Sequence, residues 1–223
     1  MRIRFKPWAR GELEASKFYI DNPEDYKGKW RELFNNDNKL LYLELGCGKG
    51  GFISQIASQN PDINFIAIDV VDAMLGLAKR NIESVYAEKS LEINNVYLTR
   101  FDIERILLIM DDNDRIDRIF INFCNPWPRG KHRKKRLTHV RQLEKYRQIL
   151  KDEGEIYFKT DDDGLFNDSL LYFKQAGFEI IDKTYDLANS ENFWDNIETE
   201  HEKMFKEQGI KIKAAKVKKS KMQ

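Results

Sequence analysis

The stretch Leu40-Leu41-Tyr42-Leu43-Glu44-Leu45-Gly46-Cys47-Gly48-Lys49-Gly50-Gly51-Phe52-Ile53 decides the fold. Its first six residues form a short apolar run of strand type. Glycines at 46, 48, 50 and 51 follow at once. Phe52, Ile53, Ile56 and Ala57 then recur on one face of a helix that Pro61 ends. Strand, glycine turn and helix in that order open a parallel α/β unit. Working outward, strands are expected at 63–69, 96–101, 118–123, 155–160, 178–185 and 210–215. The spacing of Val71, Met74, Leu75, Ala78, Ile82 and Val85 predicts a helix after the second strand. Further helices are expected from Leu137, over Leu165–Phe173 and over 194–208. The prediction is a mostly parallel, seven-stranded sheet with helices on both faces. Ligands of such sheets sit beyond the carboxyl ends of the strands.

The chain has 223 residues, 41% of them hydrophobic and 34% charged, with a formal net charge of +1. That is enough chain for one α/β domain with a proper core. The expected organisation is an N-terminal extension over 1–38, partly flexible and offering Arg2, Arg4 and Lys6 as a phosphate-binding arm, a main domain over 39–215, and a solvated basic tail over 216–223. Positive charge gathers at 2–10, 129–147 and 203–221, and acid at 102–117 and 152–163. Such segregation is the footprint expected of a phosphate-binding protein. Cys47 and Cys124 are the two cysteines and lack metal-ligand spacing, so neither a metal site nor a disulfide framework is expected. A reducing cytoplasm suits them. No apolar window reaches membrane-spanning length and the N-terminus lacks a signal-peptide core.

Gly46, Gly48 and Gly51 formally satisfy dinucleotide-binding spacing. Glu44 argues against it, because a carboxylate just before the turn opposes a pyrophosphate. Lys49 lacks the following Ser or Thr of a phosphate loop. A carboxylate there suits a ligand bearing an ammonium group, such as S-adenosyl-L-methionine. Asp69, closing the second strand, is placed to accept from ribose hydroxyls. Asp102, closing the third, is placed to read an adenine amino group. Taken singly, each of these acids is a solvated loop residue; three at successive strand ends point to a cofactor pocket.

The second informative stretch runs Ile119-Phe120-Ile121-Asn122-Phe123-Cys124-Asn125-Pro126-Trp127-Pro128-Arg129-Gly130-Lys131-His132-Arg133-Lys134-Lys135-Arg136. A buried strand ends in a stiff aromatic turn and opens onto a basic loop. Trp127, held between two prolines, either shapes a base pocket or packs beneath the loop. Arg129, Lys131, Arg133, Lys134, Lys135 and Arg136 are expected on phosphates, which gives affinity without sequence reading. His132 and His139 are read as structural.

Leu43–Gly51 resembles the first motif of class I S-adenosylmethionine-dependent methyltransferases, which have a Rossmann-like fold. Asn122–Arg129 with Lys131–Thr138 is more specific and resembles the bacterial tRNA (guanine-N7-)-methyltransferases. Met1–Ala9, Lys159-Thr160-Asp161 and Thr199-Glu200-His201-Glu202-Lys203 are also similar to that family, so the resemblance runs from end to end. It implies methylation of the guanosine at position 46 in the tRNA variable loop. It implies that Glu44, Asp69 and Asp102 contact the cofactor beside Gly46 and Gly48, and that Asn125 serves both cofactor and base. It implies that Arg129, Asp161, Thr199, Glu200, His201 and Glu202 contact RNA, joined on the reading above by Trp127, Lys131 and Arg133. The family more often has Asp at the position of Asn125, Lys at that of Arg129 and an aromatic at that of His201.

Guanine N7 carries a free lone pair, so methyl transfer to it needs no strong general base. Asn125 is expected to orient the reactants through its amide oxygen, and Glu202 to accept from the guanine Watson–Crick edge. No obligatory protein partner is expected, and both monomer and homodimer stay open. The alternatives are a class I methyltransferase acting on another RNA and a catalytically weak RNA-binding member of the fold.

Overall fold

The computed structural model describes residues 4–190 and 196–220. It falls into two units, residues 1–114 and 115–223.

In the first unit, α1 (Pro7–Glu14) and β1 (Tyr19–Ile20) precede β2 (Leu40–Leu45), α2 (Gly51–Gln59), β3 (Ile63–Asp69), α3 (Asp72–Glu88) and β4 (Val96–Arg100). The strands lie in the order β1-β4-β3-β2, every pair parallel. Leu41, Leu43 and Leu45 are fully buried, and so is the unbroken run Ile66–Ile68. An unbroken run of this kind is what a parallel strand covered on both faces requires. Residues 7–14 are docked: α1 packs on α3, where a Cβ at Gly76 would lie 2.9 Å from both Ala9 and Trp8. Arg80 stands 3.6 Å from the Trp8 ring centroid and pairs with Glu12. The Trp30 indole N–H donates to the Ile109 carbonyl at 2.7 Å, and the Asp114 carboxylate accepts from the backbone of Gly28, Trp30 and Asp111.

The second unit holds β5 (Ile116–Asn122), α4 (Val140–Ile149), β6 (Leu150–Thr160), α5 (Asp163–Gln175), β7 (Phe178–Thr184), α6 (Glu200–Glu207) and β8 (Lys213–Lys219). Their order is β5-β6-β8-β7; β5 and β6 are parallel, and β8 is antiparallel to both its neighbours.

Four expectations need correcting. The described strands number eight rather than seven, because Tyr19–Ile20 adds a short strand beside β4. β6 begins at Leu150 rather than at 155, through a register irregularity and Glu153 at φ +66°. β8 runs to Lys219, so residues 216–219 are strand and not tail. Val217 is buried on it, while Lys216 and Lys218 pair with Glu155 and Glu153. The helix expected over 194–208 begins at Glu200, with 196–199 non-helical and 191–195 outside the described residues.

Candidate active site

In the first unit the three acids stand where parallel topology sends them, at the carboxyl ends of adjacent strands. Glu44 is 2% exposed on β2. Its neighbour turn is shaped by left-handed glycines, and Gly50 (φ +77°) passes so close to α3 that a Cβ would lie 2.7 Å from Ala78 Cα. Asp69 ties this turn to the next: Oδ2 accepts from Gly48 N at 2.9 Å and Oδ1 from Val71 N at 3.0 Å. Burial pushes its carboxyl above the usual range, against the pull of those N–H donors. Asp102 is exposed and caps the 3₁₀ turn Ile103–Leu108, accepting from Glu104 N at 2.9 Å. Cys47 is buried between these acids; burial first, then the charges of Asp69 and Glu44, push its thiol up, which removes it as a nucleophile. A buried carboxylate, a glycine turn with room for a ligand at Gly48, and acids at two further strand ends suit the ammonium, ribose and adenine of S-adenosyl-L-methionine.

In the second unit β5 ends in a turn built differently. Phe123 (φ +51°) and Trp127 (φ +40°) take left-handed backbone without being glycine. The Asn125 side-chain oxygen accepts from Trp127 N at 3.0 Å, closing an Asx turn that supports that geometry. Trp127 lies beneath the basic loop, 5.7 Å from the His132 ring and with Lys135 Nζ 5.3 Å from its centroid. Arg129, Lys131, Arg133, Lys134 and Lys135 are exposed. Arg136 corrects the expectation of a sixth phosphate contact. It is 3% exposed and donates to the Pro126 carbonyl and to Asp168, each at 2.6 Å. Arg133 also reaches Asp168, at 3.3 Å.

The carboxyl end of β6 brings a further group together. Lys159 is 1% exposed and donates to Glu202 Oε2, Asn196 Oδ1 and the Ile197 carbonyl at 3.0, 2.9 and 3.3 Å. Glu202 is 5% exposed. It closes a capping box at the start of α6: its Oε2 accepts from Thr199 N at 2.7 Å and its own N–H donates to Thr199 Oγ1 at 3.1 Å. Its Oε1 accepts from Asn196 Nδ2 at 2.9 Å. Thr199 and Glu202 are therefore hydrogen-bonded partners, and both Asn196 and Glu202 line a cavity of about 600 Å³ with Glu198 and Lys206. Glu200 is the first residue of α6, and its side chain lies outside what is described. His201 stacks on Phe123 with centroids 5.6 Å apart and planes at 21°. Asp161 offers its carbonyl to Lys213 at 2.9 Å, while Asp162 next to it caps α5. Among the described residues no cluster of His, Cys, Asp and Glu could hold a metal.

Lys159 and Asn196 were not singled out as site residues from sequence, and Arg136 was expected on a phosphate rather than beneath the loop. The Thr-x-x-Glu spacing was a usable signal for the capping box and for where α6 starts. Nothing local marks Lys159 as buried.

A methyltransferase family model matches residues 38–215. A tRNA (guanine-N(7)-)-methyltransferase of Clostridium beijerinckii is 62% identical over 213 residues, 96% of each chain. The proteins of that name from Clostridium perfringens strain 13 and Acetivibrio thermocellus are 57% and 56% identical, covering 96% of this chain and 97% of their own. Among solved structures, an antibiotic-related methyltransferase is similar with a TM-score of 0.57 at 18% identity, over 87% of this chain and 92% of its own. A methyltransferase from Listeria monocytogenes described as S-adenosylmethionine-dependent gives 0.53 at 16% identity, over 87% and 99%. These likenesses show the fold, that of the class I methyltransferases. With strand-end acids suited to S-adenosyl-L-methionine as cofactor, and with relatives of this identity along nearly its whole length, the chain belongs to the bacterial tRNA (guanine-N7-)-methyltransferase family.

Proposed function

We propose that this chain transfers a methyl group from S-adenosyl-L-methionine to N7 of the guanosine at position 46 in the tRNA variable loop, giving 7-methylguanosine. The observation that carries the reading is the row Glu44, Asp69 and Asp102 at the ends of β2, β3 and β4, in a chain whose relatives act on tRNA guanine N7 by name. S-adenosyl-L-methionine supplies an electrophilic sulfonium methyl group when bound. Glu44 would pair with its ammonium, Gly46 and Gly48 would give its main chain room, Asp69 would accept from the ribose and Asp102 from the adenine amino group.

The chain's own work is orientation. Guanine N7 has no proton to lose, so the residues around it need only hold it in line, within near-attack distance. Asn125 is uncharged, and its amide oxygen, which takes one N–H from Trp127, keeps a second lone pair for the reacting groups. Glu202 is the anion that would face the base and offset the positive charge growing on guanine. N7 lies in the deep major groove of A-form RNA, so the guanosine has to leave its stack, at a cost of a few kcal/mol. Trp127 would border the extruded base. Thr199, Glu200, His201 and Asp161 would contact the nucleotide, and Arg129, Lys131 and Arg133 the phosphates. The setting is cytoplasmic, with no obligatory protein partner; no helix among the described residues is long and apolar enough to cross a membrane.

The test is incubation with labelled S-adenosyl-L-methionine and unmodified tRNA, followed by nucleoside analysis and mapping of the label. The expected product is 7-methylguanosine at position 46. A different methylated nucleoside, or label entering other RNAs but not tRNA, would move the assignment to a methyltransferase of another substrate.

A further inference from the structure

We infer that Lys159 is a positioning residue for Glu202, fixing which carboxylate oxygen is left for the guanine; this deepens the reading above and rests on it. Lys159 sits on an interior strand, its backbone opposite Asn122 of β5 on one side and Ala214 of β8 on the other. Phe158 beside it is fully buried, and its own side chain is 1% exposed. A methionine would fill such a place without bringing a charge out of water. The ammonium has three protons, and each meets an acceptor: Glu202 Oε2, Asn196 Oδ1 and the Ile197 carbonyl.

Those acceptors belong to one short segment, 196–202, that carries the RNA-facing residues. Glu202 Oε2 takes two donors, the Lys159 ammonium at 3.0 Å and Thr199 N at 2.7 Å. Oε1 takes one, the Asn196 amide at 2.9 Å. Asn196 is thereby clamped from both ends, accepting from Lys159 and donating to Glu202. The ring Lys159–Asn196–Glu202 leaves the carboxylate with one oxygen committed and the other keeping a lone pair, and it turns that oxygen in a set direction. Burying an ion pair is weak evidence of a contribution to stability. Its use here is geometric: the rigid end of β6 sets the orientation of an acid on α6. Without the ammonium, Glu202 keeps its capping bonds but loses the donor that holds the second half of the ring.

The test is a double-mutant cycle with Lys159→Met, Glu202→Gln and the pair, joined by Lys159→Arg, each assayed for 7-methylguanosine formation on unmodified tRNA. S-adenosylhomocysteine affinity is measured on the same preparations. Lys159→Met is expected to lower kcat by about 100-fold, the scale on which misplacing a group by about 1 Å acts. The KM for tRNA and the S-adenosylhomocysteine affinity should stay within about threefold, because uniform binding is untouched. In the Glu202→Gln background the lysine substitution should change kcat by less than about twofold, and Lys159→Arg should recover part of the loss. If Lys159→Met does not fold, the comparison of Glu202→Gln with the double variant, which buries no unpaired charge, decides. Lys159→Met at wild-type kcat, or losses that multiply across the cycle, would overturn the assignment of Lys159. Equal losses of S-adenosylhomocysteine affinity and kcat would overturn it too, as a general folding effect. A wild-type protein that makes no 7-methylguanosine would instead overturn the underlying reading.

Discussion

Two of the turns that leave the carboxyl ends of strands solve the same backbone problem in opposite ways. After β2 the left-handed positions at 46, 48 and 50 are all glycine. After β5 they are Phe123 and Trp127, which reach φ values of +51° and +40° at a steric cost. The first turn reaches that backbone without a steric cost and is tied down by Asp69, which accepts from Gly48 N, and by Asn81, which donates to the Lys49 carbonyl. The second is held from outside: Asn125 caps Trp127 N, Arg136 grips the Pro126 carbonyl, and Phe123 is packed by His201 and Phe205. The helices that follow repeat the contrast. α2 starts at left-handed Gly50 with no side-chain cap, whereas α4 starts at His139, whose Nδ1 accepts from Arg141 N at 3.3 Å. The first turn is built from absent side chains; the second, which presents an aromatic and a basic loop, is built from braces.

Breaking the first turn should have the largest effect. Gly50→Ala puts a Cβ against Ala78 in a left-handed residue, and it should lower unfolding free energy by about 3 kcal/mol and weaken S-adenosylhomocysteine binding, read from urea melts and calorimetry. Removing a brace from the second comes next. Arg136→Met should cost about 2 kcal/mol through lost charged hydrogen bonds and slow methyl transfer. It should leave the salt dependence of tRNA binding unchanged, because Arg136 is buried. Lys131→Ala should do the reverse, keeping stability and flattening the slope of log K against log salt by about 0.7 to 0.9. A change of slope in Arg136→Met would return that residue to the phosphate grip.

The smallest effect separates the two helix starts. Burial first, then nearby positive charge, lowers the His139 pKa below the ordinary histidine value, so the folded protein prefers the neutral ring whose nitrogen caps α4. The unfolded chain protonates first as pH falls. The cap's contribution is therefore complete above about pH 6.5 and is lost as pH drops through the lower folded value. The loss should be less than about 1 kcal/mol. His139→Asn, which caps without titrating, should abolish that part of the pH dependence in thermal melts; an unchanged profile would remove His139 from it.

What was legible in the sequence follows the same division. β3 was readable because the apolar run Phe65–Ile68 is ended by an acid at Asp69. The positions of Glu44, Asp69 and Asp102 near strand ends were readable because strand ends and glycines are local signals. β8 was missed beyond 215 because its lysines read as solvent-facing, and only the partners Glu153 and Glu155 on a strand far away in sequence make them strand residues. Arg136 stood in a run of exposed cations, and its burial depends on Asp168, distant in the chain. Lys159 appeared only as part of a strand-end motif, and its importance arises from Asn196 and Glu202, which no periodicity ties to it. Local chemistry was readable; braces joining distant segments were not.

The central claim, that the nucleophile is guanine N7 of tRNA, has a direct test. Unmodified tRNA would be prepared with 7-deazaguanosine in place of the target guanosine, which keeps the Watson–Crick edge and removes only the attacking nitrogen. Methyl transfer from labelled S-adenosyl-L-methionine would then be measured against the unsubstituted tRNA at equal binding. The prediction is normal binding and no label at the substituted residue. Methylation of the 7-deaza tRNA at an undiminished rate would contradict it.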